Sequence, residues 1–279
     1  MTAATVPAPS VDPRGDTTPL TLGVAASLEA LLAGRPSTGQ LNAALRHLAK
    51  WRTVLLNNTL VALSGEAVLS GPFAGMIYGG KASEGSRTAR LLGVYEAALA
   101  PVIETMIARA YALVIDVGSA EGYYAVGLAR RMPNTRIVAR DANPAAQALC
   151  RALAHANGVA DRVEIGGRIE HADFAICETQ PTAILCDIEG AEAELLDPAR
   201  APGLRHADIL VEVHEGMRPG LLAALQARFA PSHRIALVQP KLEAGALPDW
   251  THQLNDLDRL LLLWEWRASP TPWLWMQRR

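Results

Sequence analysis

From residue 112 onward the apolar positions fall into two alternating rhythms. Short apolar runs, rich in β-branched residues and bounded by glycine or charge, predict strands over 113–116, 135–140, 163–165, 183–187, 209–214, 234–239 and 273–277. Longer stretches with apolar residues at helical spacing predict helices over 124–131, 144–157, 191–196, 220–229 and 257–266. Alternation at this spacing predicts a parallel sheet covered on both faces. The last strand follows "RASPTP" and suits an antiparallel edge. Upstream, residues 22–69 read as mostly helical, broken at "AGRPSTG", and "GQLNAALRHLAKWRTVLLNNTLVAL" reads as one or two amphipathic helices. The glycine-rich segment 71–85 reads as a loop, and "TARLLGVYEAALAPVIETMIARA" as helices leading into the first strand. Residues 1–19, rich in Pro, Thr and Ala, read as a disordered tail. The chain thus divides into that tail, a helical cap and lid segment over 20–111, and an α/β domain over 112–279.

Composition narrows the class. Of 279 residues, 50% are hydrophobic, enough for a substantial core. The formal net charge is −2 with no long basic block, which disfavours a nucleic-acid partner. Cys150, Cys177 and Cys186 form no paired pattern, so reduced buried thiols are expected. The first residues lack the apolar core of a secretory signal. No window reaches the roughly 18 uninterrupted apolar residues of a membrane span. The expectation is a soluble, cytoplasmic protein without a membrane partner.

The stretch "ALVIDVGSAEGYYAVGLARRMP" carries the first chemical signal. A buried strand runs into a glycine turn and then a helix, a corner where a ligand approaches the backbone closely. Dinucleotide-binding turns usually read Gly-x-Gly-x-x-Gly with no acid in the strand, but here Asp116 precedes Gly118 by two residues. An acid there repels pyrophosphate and suits an ammonium group. The turn also lacks the Lys-Ser/Thr of a P-loop. The next strand ends in Asp141, about 20 residues past the glycines, where an acid accepts ribose hydroxyls. Ribose and an amino-acid ammonium without phosphate describe S-adenosyl-L-methionine.

"VIDVGSAEGYYAVGLA" resembles motif I of the class I S-adenosylmethionine-dependent methyltransferases, and Asp141 matches their ribose-binding acid. "AILCDIEGAEAELLDP" resembles the Asp-x-Glu-Gly-Ala-Glu signature of the FkbM-type branch, and "ILVEVHE" its next strand. The resemblance spans residues 112–279 and implies a Rossmann-like doubly wound sheet of about seven mostly parallel strands, with an N-terminal helical cap. It implies a cofactor site of Asp116, Gly118, Ser119, Ala120, Glu121, Gly122, Asp141, Ala142 and Asp187. Within it, Asp116, Gly118, Glu121 and Gly122 would surround the methionine part. Two departures stand out. Ala120 occupies the place of a central glycine, and "EIGGRIEHADF" lacks the Gly-Asp pair that often meets adenine, having Arg168 or Ile169 instead.

Methyl transfer from a sulfonium is a direct displacement, so the protein must mainly align the acceptor. A hydroxyl acceptor also needs its proton taken. Strands four and five end in "CDIEG" and "VEVHE", which would gather Asp187, Glu189, Glu212, His214 and Glu215. Two readings stand side by side. In one, His214 is a general base oriented by Asp187 or Glu212. In the other, Asp187, Glu212 and His214 hold a divalent ion that binds two acceptor oxygens. Glu192 reads as an acid favouring a helix start. Phe73, Met76, Tyr78 and Lys81 suit a lid or a packing connector, with Arg87, Tyr95 and Glu96 aimed at the acceptor pocket, and Tyr123 or Tyr124 suits the donor pocket or the core. Trp264, Trp266, Trp273 and Trp275 suit core and interface. The N-terminal helices suit an active-site cap or a homodimer contact. The expected activity is O-methylation of a small-molecule acceptor, a specialised metabolite or sugar. Aminocarboxypropyl transfer, cyclisation, or cofactor binding without catalysis are the alternatives on the same fold.

Overall fold

The computed structural model describes residues 18–79, 85–243, 247–267 and 269–279. The predicted tail over 1–17 and Lys81 of the predicted lid lie outside the described residues. The chain opens with two helices, α1 (Pro19–Leu31) and α2 (Thr38–Ser64). Their break at "AGRPS" ends in Ser37, whose hydroxyl accepts from the Gln40 amide while the Gln40 side chain accepts from the Ser37 amide. No residue of α1 is buried, whereas α2 buries Ala44, Thr53, Leu56 and Leu60.

Two further helices, α3 (Arg87–Leu92) and α4 (Ala100–Arg109), precede the sheet. The 87–109 segment is apolar and long enough to cross a membrane by composition. It is broken between the two helices and buries Leu91, Leu92, Leu99, Ile103 and Met106 in the core, the behaviour of a packed element.

The α/β part then runs β1 (Leu113–Val117), α5 (Tyr123–Arg131), β2 (Arg136–Arg140), α6 (Pro144–Ala156), β3 (Val163–Gly166), β4 (Thr182–Cys186), α7 (Glu192–Leu195), β5 (Ala207–Glu212), α8 (Leu221–Phe229), β6 (His233–Val238), α9 (Asp256–Leu263) and β7 (Trp273–Arg278). The seven strands form one sheet in the order β3-β2-β1-β4-β5-β7-β6, with the first five parallel. The expected doubly wound, mostly parallel α/β sheet is therefore present. β7 is antiparallel, but it lies between β5 and β6 instead of at the edge. β6 is the edge strand, with Arg234, Ala236 and Leu237 exposed and Ile235 and Val238 partly buried.

The pleat sorts the core onto two faces. Val114, Ala183 and Leu185 join one apolar cluster with α5 and α6, while Leu113, Ile115, Val117 and Ile184 join another with Phe174 and α8. The three cysteines are free and buried. Arg52 of α2 forms a two-bond ion pair with Asp258 of α9 at 2.6 and 2.7 Å, which docks the N-terminal helices beside the last helix. In this sheet β1, β2, β4 and β5 all end at the same edge, and β2–β1–β4 is where the strand order reverses, the usual place for a ligand.

Candidate active site

The turn after β1 is built by backbone geometry. Gly118 has φ +79, and a Cβ there would stand 1.6 Å from the Asp187 carbonyl oxygen, so only glycine lets the β1 and β4 tips come together. Ala120 also takes a left-handed φ of 47, which explains why glycine is the easier residue there. Gly122, at φ +92, starts α5 above Cys150, whose Sγ would lie 2.5 Å from a Cβ.

Most of the amides of this turn are used internally. Gly118 and Ser119 both donate to the Arg140 carbonyl (2.8 and 3.1 Å), Gly122 to the Ser119 carbonyl (2.7 Å), and Ala120 to Asp141 Oδ2 (2.9 Å). Asp141 Oδ1 accepts from the Asn143 amide at 2.7 Å. Asp141 is thus fastened to the glycine turn by its own carboxylate.

A cavity of ≈ 940 Å³ opens over the strand tips. Of the predicted cofactor residues, Gly118, Ala120, Asp141, Ala142 and Asp187 line it. Asp116, Ser119, Glu121 and Gly122 do not: they build the corner from behind. Glu121 accepts from the Tyr78 hydroxyl and meets Arg90 Nε at 3.2 Å. Asp116 is buried beneath the turn. Burial first, and the charges of Asp141 and Glu121 second, push it from 3.8 up to about 7. The folded chain therefore keeps a proton on Asp116 that the unfolded chain releases. Its contribution to stability is full below its unfolded pKa and is lost as pH rises through about 7. Asp116→Asn is neutral at every pH and is expected to gain on the parent, without cofactor, by on the order of 2–3 kcal/mol between pH 5 and pH 8. Urea unfolding of both proteins at the two pH values checks this, and an unchanged difference would contradict it.

The second half of the site lies past β4 and β5. Asp187, Glu189, Glu212 and His214 come together as expected, while Glu215 turns away to accept from the Gly220 and Leu222 amides. His214 Nε2 lies 3.4 Å from Glu189 Oε2 and 3.6 Å from both Asp187 Oδ1 and Glu212 Oε2. The orienting acid is neither Asp187 nor Glu212. It is Glu192, fully buried, whose Oε1 sits 2.7 Å from His214 Nδ1 and accepts from the Gly190 amide at 3.1 Å. A left-handed pair, Glu189 (φ 53) and Gly190 (φ 99), bends the chain so that α7 starts beneath the imidazole. Burial works against the Glu192 charge, but the bonds from His214 and from the backbone hold its pKa below the usual carboxylate range. An ionised Glu192 can only accept, so Nδ1 carries hydrogen and Nε2 faces the strand-tip carboxylates. Burial lowers the His214 pKa less than Glu192 and Glu212 raise it, so the net shift is upward. Burial and then the nearby Glu212 and Glu96 carboxylates push Asp187 well above its ordinary range.

Sequence reading did not find Arg267. It lines the cavity, and its guanidinium joins Glu212, Glu96 and Thr271, with Glu265 Oε2 at 2.8 Å from Nε. Thr271 also donates to Glu212 Oε1 at 2.6 Å, so that carboxylate is held from two sides. Glu96 lies behind Arg267, with burial chiefly raising it to about 7. Tyr95 lines the cavity, whereas Arg87 pairs with Glu66 outside it. Phe73, Met76 and Tyr78 are buried, Phe73 packing on Gly127 of α5. Tyr123 and Tyr124 do not line the cavity themselves but join an aromatic cluster that reaches it through Tyr95. Trp273 and Trp275 are core residues, and Trp266 lines the cavity. Arg168 and Ile169 line it as well.

No protein-family model matches the sequence, and no curated protein does. Among solved structures, the chain is similar to an O-methyltransferase from Bacillus cereus in complex with SAH (13% identity, 64% of this chain and 79% of that one, TM-score 0.43). It is also similar to cofactor-bound Rv0187 from MTB (16% identity, 95% and 100%, TM-score 0.44). A third is the O-methyltransferase TomG from Streptomyces achromogenes, involved in tomaymycin synthesis, in complex with SAM (13% identity, 64% and 80%, TM-score 0.42). At such identities and scores these likenesses add nothing to what the sheet order establishes.

Proposed function

We propose that this chain is a methyltransferase of the FkbM-type branch that uses S-adenosyl-L-methionine to methylate a hydroxyl of a small molecule. One observation carries the cofactor class. A phosphate-binding turn presents its amides to the ligand. Here the amides of Gly118, Ser119, Ala120 and Gly122 all donate within the protein, and the side chain at the turn is the carboxylate of Asp141. Such a corner suits a ribose and disfavours a pyrophosphate. Asp141 and Ala142 would hold the ribose side, Gly118 and Ala120 the wall next to it, with Ile169 as an apolar surface for the base. When bound, the cofactor supplies an activated methyl group on a sulfonium.

The protein's own part is alignment and proton removal. His214, its tautomer set by Glu192, holds Nε2 toward the cavity as the base for the acceptor hydroxyl. Glu192 stabilises the imidazolium that results. Tyr95 and Trp266 give the acceptor apolar walls. A cavity of this size takes both a nucleoside-sized cofactor and an acceptor.

A second reading of the same cluster has one observation in its favour. Asp187, Glu212 and His214 offer ligand atoms that all lie within 4.8 Å of one another. Two carboxylates and an imidazole suit a magnesium- or manganese-class ion, which would bind two acceptor oxygens. Incubation with S-adenosylmethionine and a panel of hydroxyl acceptors, with and without chelator, tests both. The expected product is S-adenosylhomocysteine in step with a methylated acceptor. Methylthioadenosine instead would indicate aminocarboxypropyl transfer or cyclisation, and loss of turnover with chelator would favour the metal over the free base.

A further inference from the structure

Helix α1 is apolar, with Glu29 as its one charged residue, and none of its residues is buried. It packs on α2. Val24, Leu28 and Leu31, at i, i+4 and i+7, form its half-buried side, while Leu20 and Leu22 stay exposed. On α2 the core contacts begin at Thr53, apart from Ala44. Before them, Leu41, Leu45 and Leu48 repeat the spacing i, i+4, i+7, so they share one face. All three are exposed, Leu45 by 67%. A leucine stripe at this spacing ordinarily faces a core or a partner. The charges of the same two helices are one-sided. Over residues 19–64, Arg35, Arg46, Lys50 and Arg52 stand against Glu29, a formal +3 in a chain whose total is −2, and α2 has no acid at all. Asp258 takes up Arg52. Arg35, Arg46 and Lys50 are exposed.

We propose that α1 and the first half of α2 dock on an anionic lipid surface, a role independent of the chemistry read from the strand tips. Leucines that enter the acyl boundary beside cations that meet lipid phosphates are the two requirements of an interfacial helix. Charge decides between the occupants. A second copy of the chain, paired about a two-fold axis, would bring Arg46 and Lys50 toward their own counterparts with no acid of α2 to meet them. A nucleic acid would meet the cations but leave the leucines in water. Residues 1–17 offer only Met1, Val6 and Val11 as large apolar side chains, too few to cover the stripe. An anionic bilayer satisfies the leucines and the cations together. The absence of a membrane-spanning window does not bear on such a contact. At thirteen residues α1 is about 20 Å long, short of the roughly 30 Å hydrocarbon layer, so it suits lying on the surface. Lys50 also lines the cavity, so the docking surface adjoins the site.

Co-sedimentation of the full-length protein with vesicles tests the assignment, using phosphatidylcholine alone and an equal mixture of phosphatidylcholine and phosphatidylglycerol. Binding is expected to be about 10- to 100-fold tighter on the mixed vesicles and to weaken as salt is raised. Leu45→Glu is expected to lower it by at least about tenfold, and Arg46→Gln to cut the preference for the anionic vesicles severalfold. Both side chains are exposed, so thermal unfolding of each variant should match the parent. If Leu45→Glu does not fold, Arg46→Gln and the salt dependence decide the matter. Removal of residues 1–17 should leave binding unchanged. No sedimentation with either vesicle, equal binding to both, or loss of binding on removal of residues 1–17 would overturn the assignment. A protein that is dimeric by light scattering, becomes monomeric in Leu45→Glu and ignores the vesicles would give this face to a second copy instead.

Discussion

His214→Ala is expected to lower turnover by about 10²- to 10⁴-fold, the usual contribution of a positioned general base. Affinity for S-adenosylhomocysteine should barely change, because His214 sits past β5 and the cofactor corner past β1. The base must be neutral to accept a proton, so activity rises with pH. The upward shift of His214 places the midpoint of that rise above the ordinary histidine value of 6.5. Glu192→Gln keeps an acceptor on Nδ1 but removes the charge that stabilises the imidazolium, so the loss should be smaller and the midpoint should fall. Initial rates across pH check all three. A His214→Ala protein that retains most of its turnover would remove the imidazole from the reaction.

Gly118→Ala is the second large effect, and it acts on the fold as well as on the site. The new Cβ meets the Asp187 carbonyl oxygen at 1.6 Å, and the φ of +79 is one that side chains rarely adopt. Backbone strain of about 1–3 kcal/mol and overpacking of similar size give an expected loss of about 2–6 kcal/mol. Relief requires the β1 and β4 tips to part, which moves Asp187 and the amides that hold Asp141. Binding of S-adenosylhomocysteine should be lost along with stability. Urea unfolding and calorimetry of the same preparation check this. A loss below about 1 kcal/mol would mean that the two strand tips are not packed as described.

The strand tips were legible in the sequence because their chemistry sits where two local patterns meet. Val114–Ile115 is a buried β-branched run, and Gly118 and Gly122 can only be read as a turn, so the corner and Asp141 beyond the next strand followed directly. His214 and its carboxylates were legible for the same reason: each ends a strand of a parallel sheet. Glu192 was not, because an acid in the first turn of a helix is adequately explained by the helix dipole. Its real partner appears only once Glu189 and Gly190 adopt positive φ and fold α7 back under the imidazole. Arg90 stands 31 residues before its partner Glu121 (121 − 90) and Arg267 stands 55 residues after Glu212, and no local pattern points from one to the other. The insertion of β7 between β5 and β6 is likewise a matter of sheet pairing, which an apolar run does not encode. Of the two readings of the glycine-rich segment, a lid or a packing connector, Phe73 and Met76 fit the connector: both are buried, and Phe73 fills the space over α5 where Gly127 lacks a side chain.

Calorimetric titration of the purified protein with S-adenosylhomocysteine tests the central claim most directly, with Asp141→Ala as its partner. The expected result is one site of micromolar affinity in the parent, on the order of −8 kcal/mol, and at least a tenfold loss in the variant. The Asp141 carboxylate accepts from Ala120 and Asn143 even without ligand, so thermal unfolding of the variant separates loss of the ribose contact from loss of the turn. No heat of binding in a folded parent would contradict the account, and the glycine turn would then be a packing corner between β1 and α5.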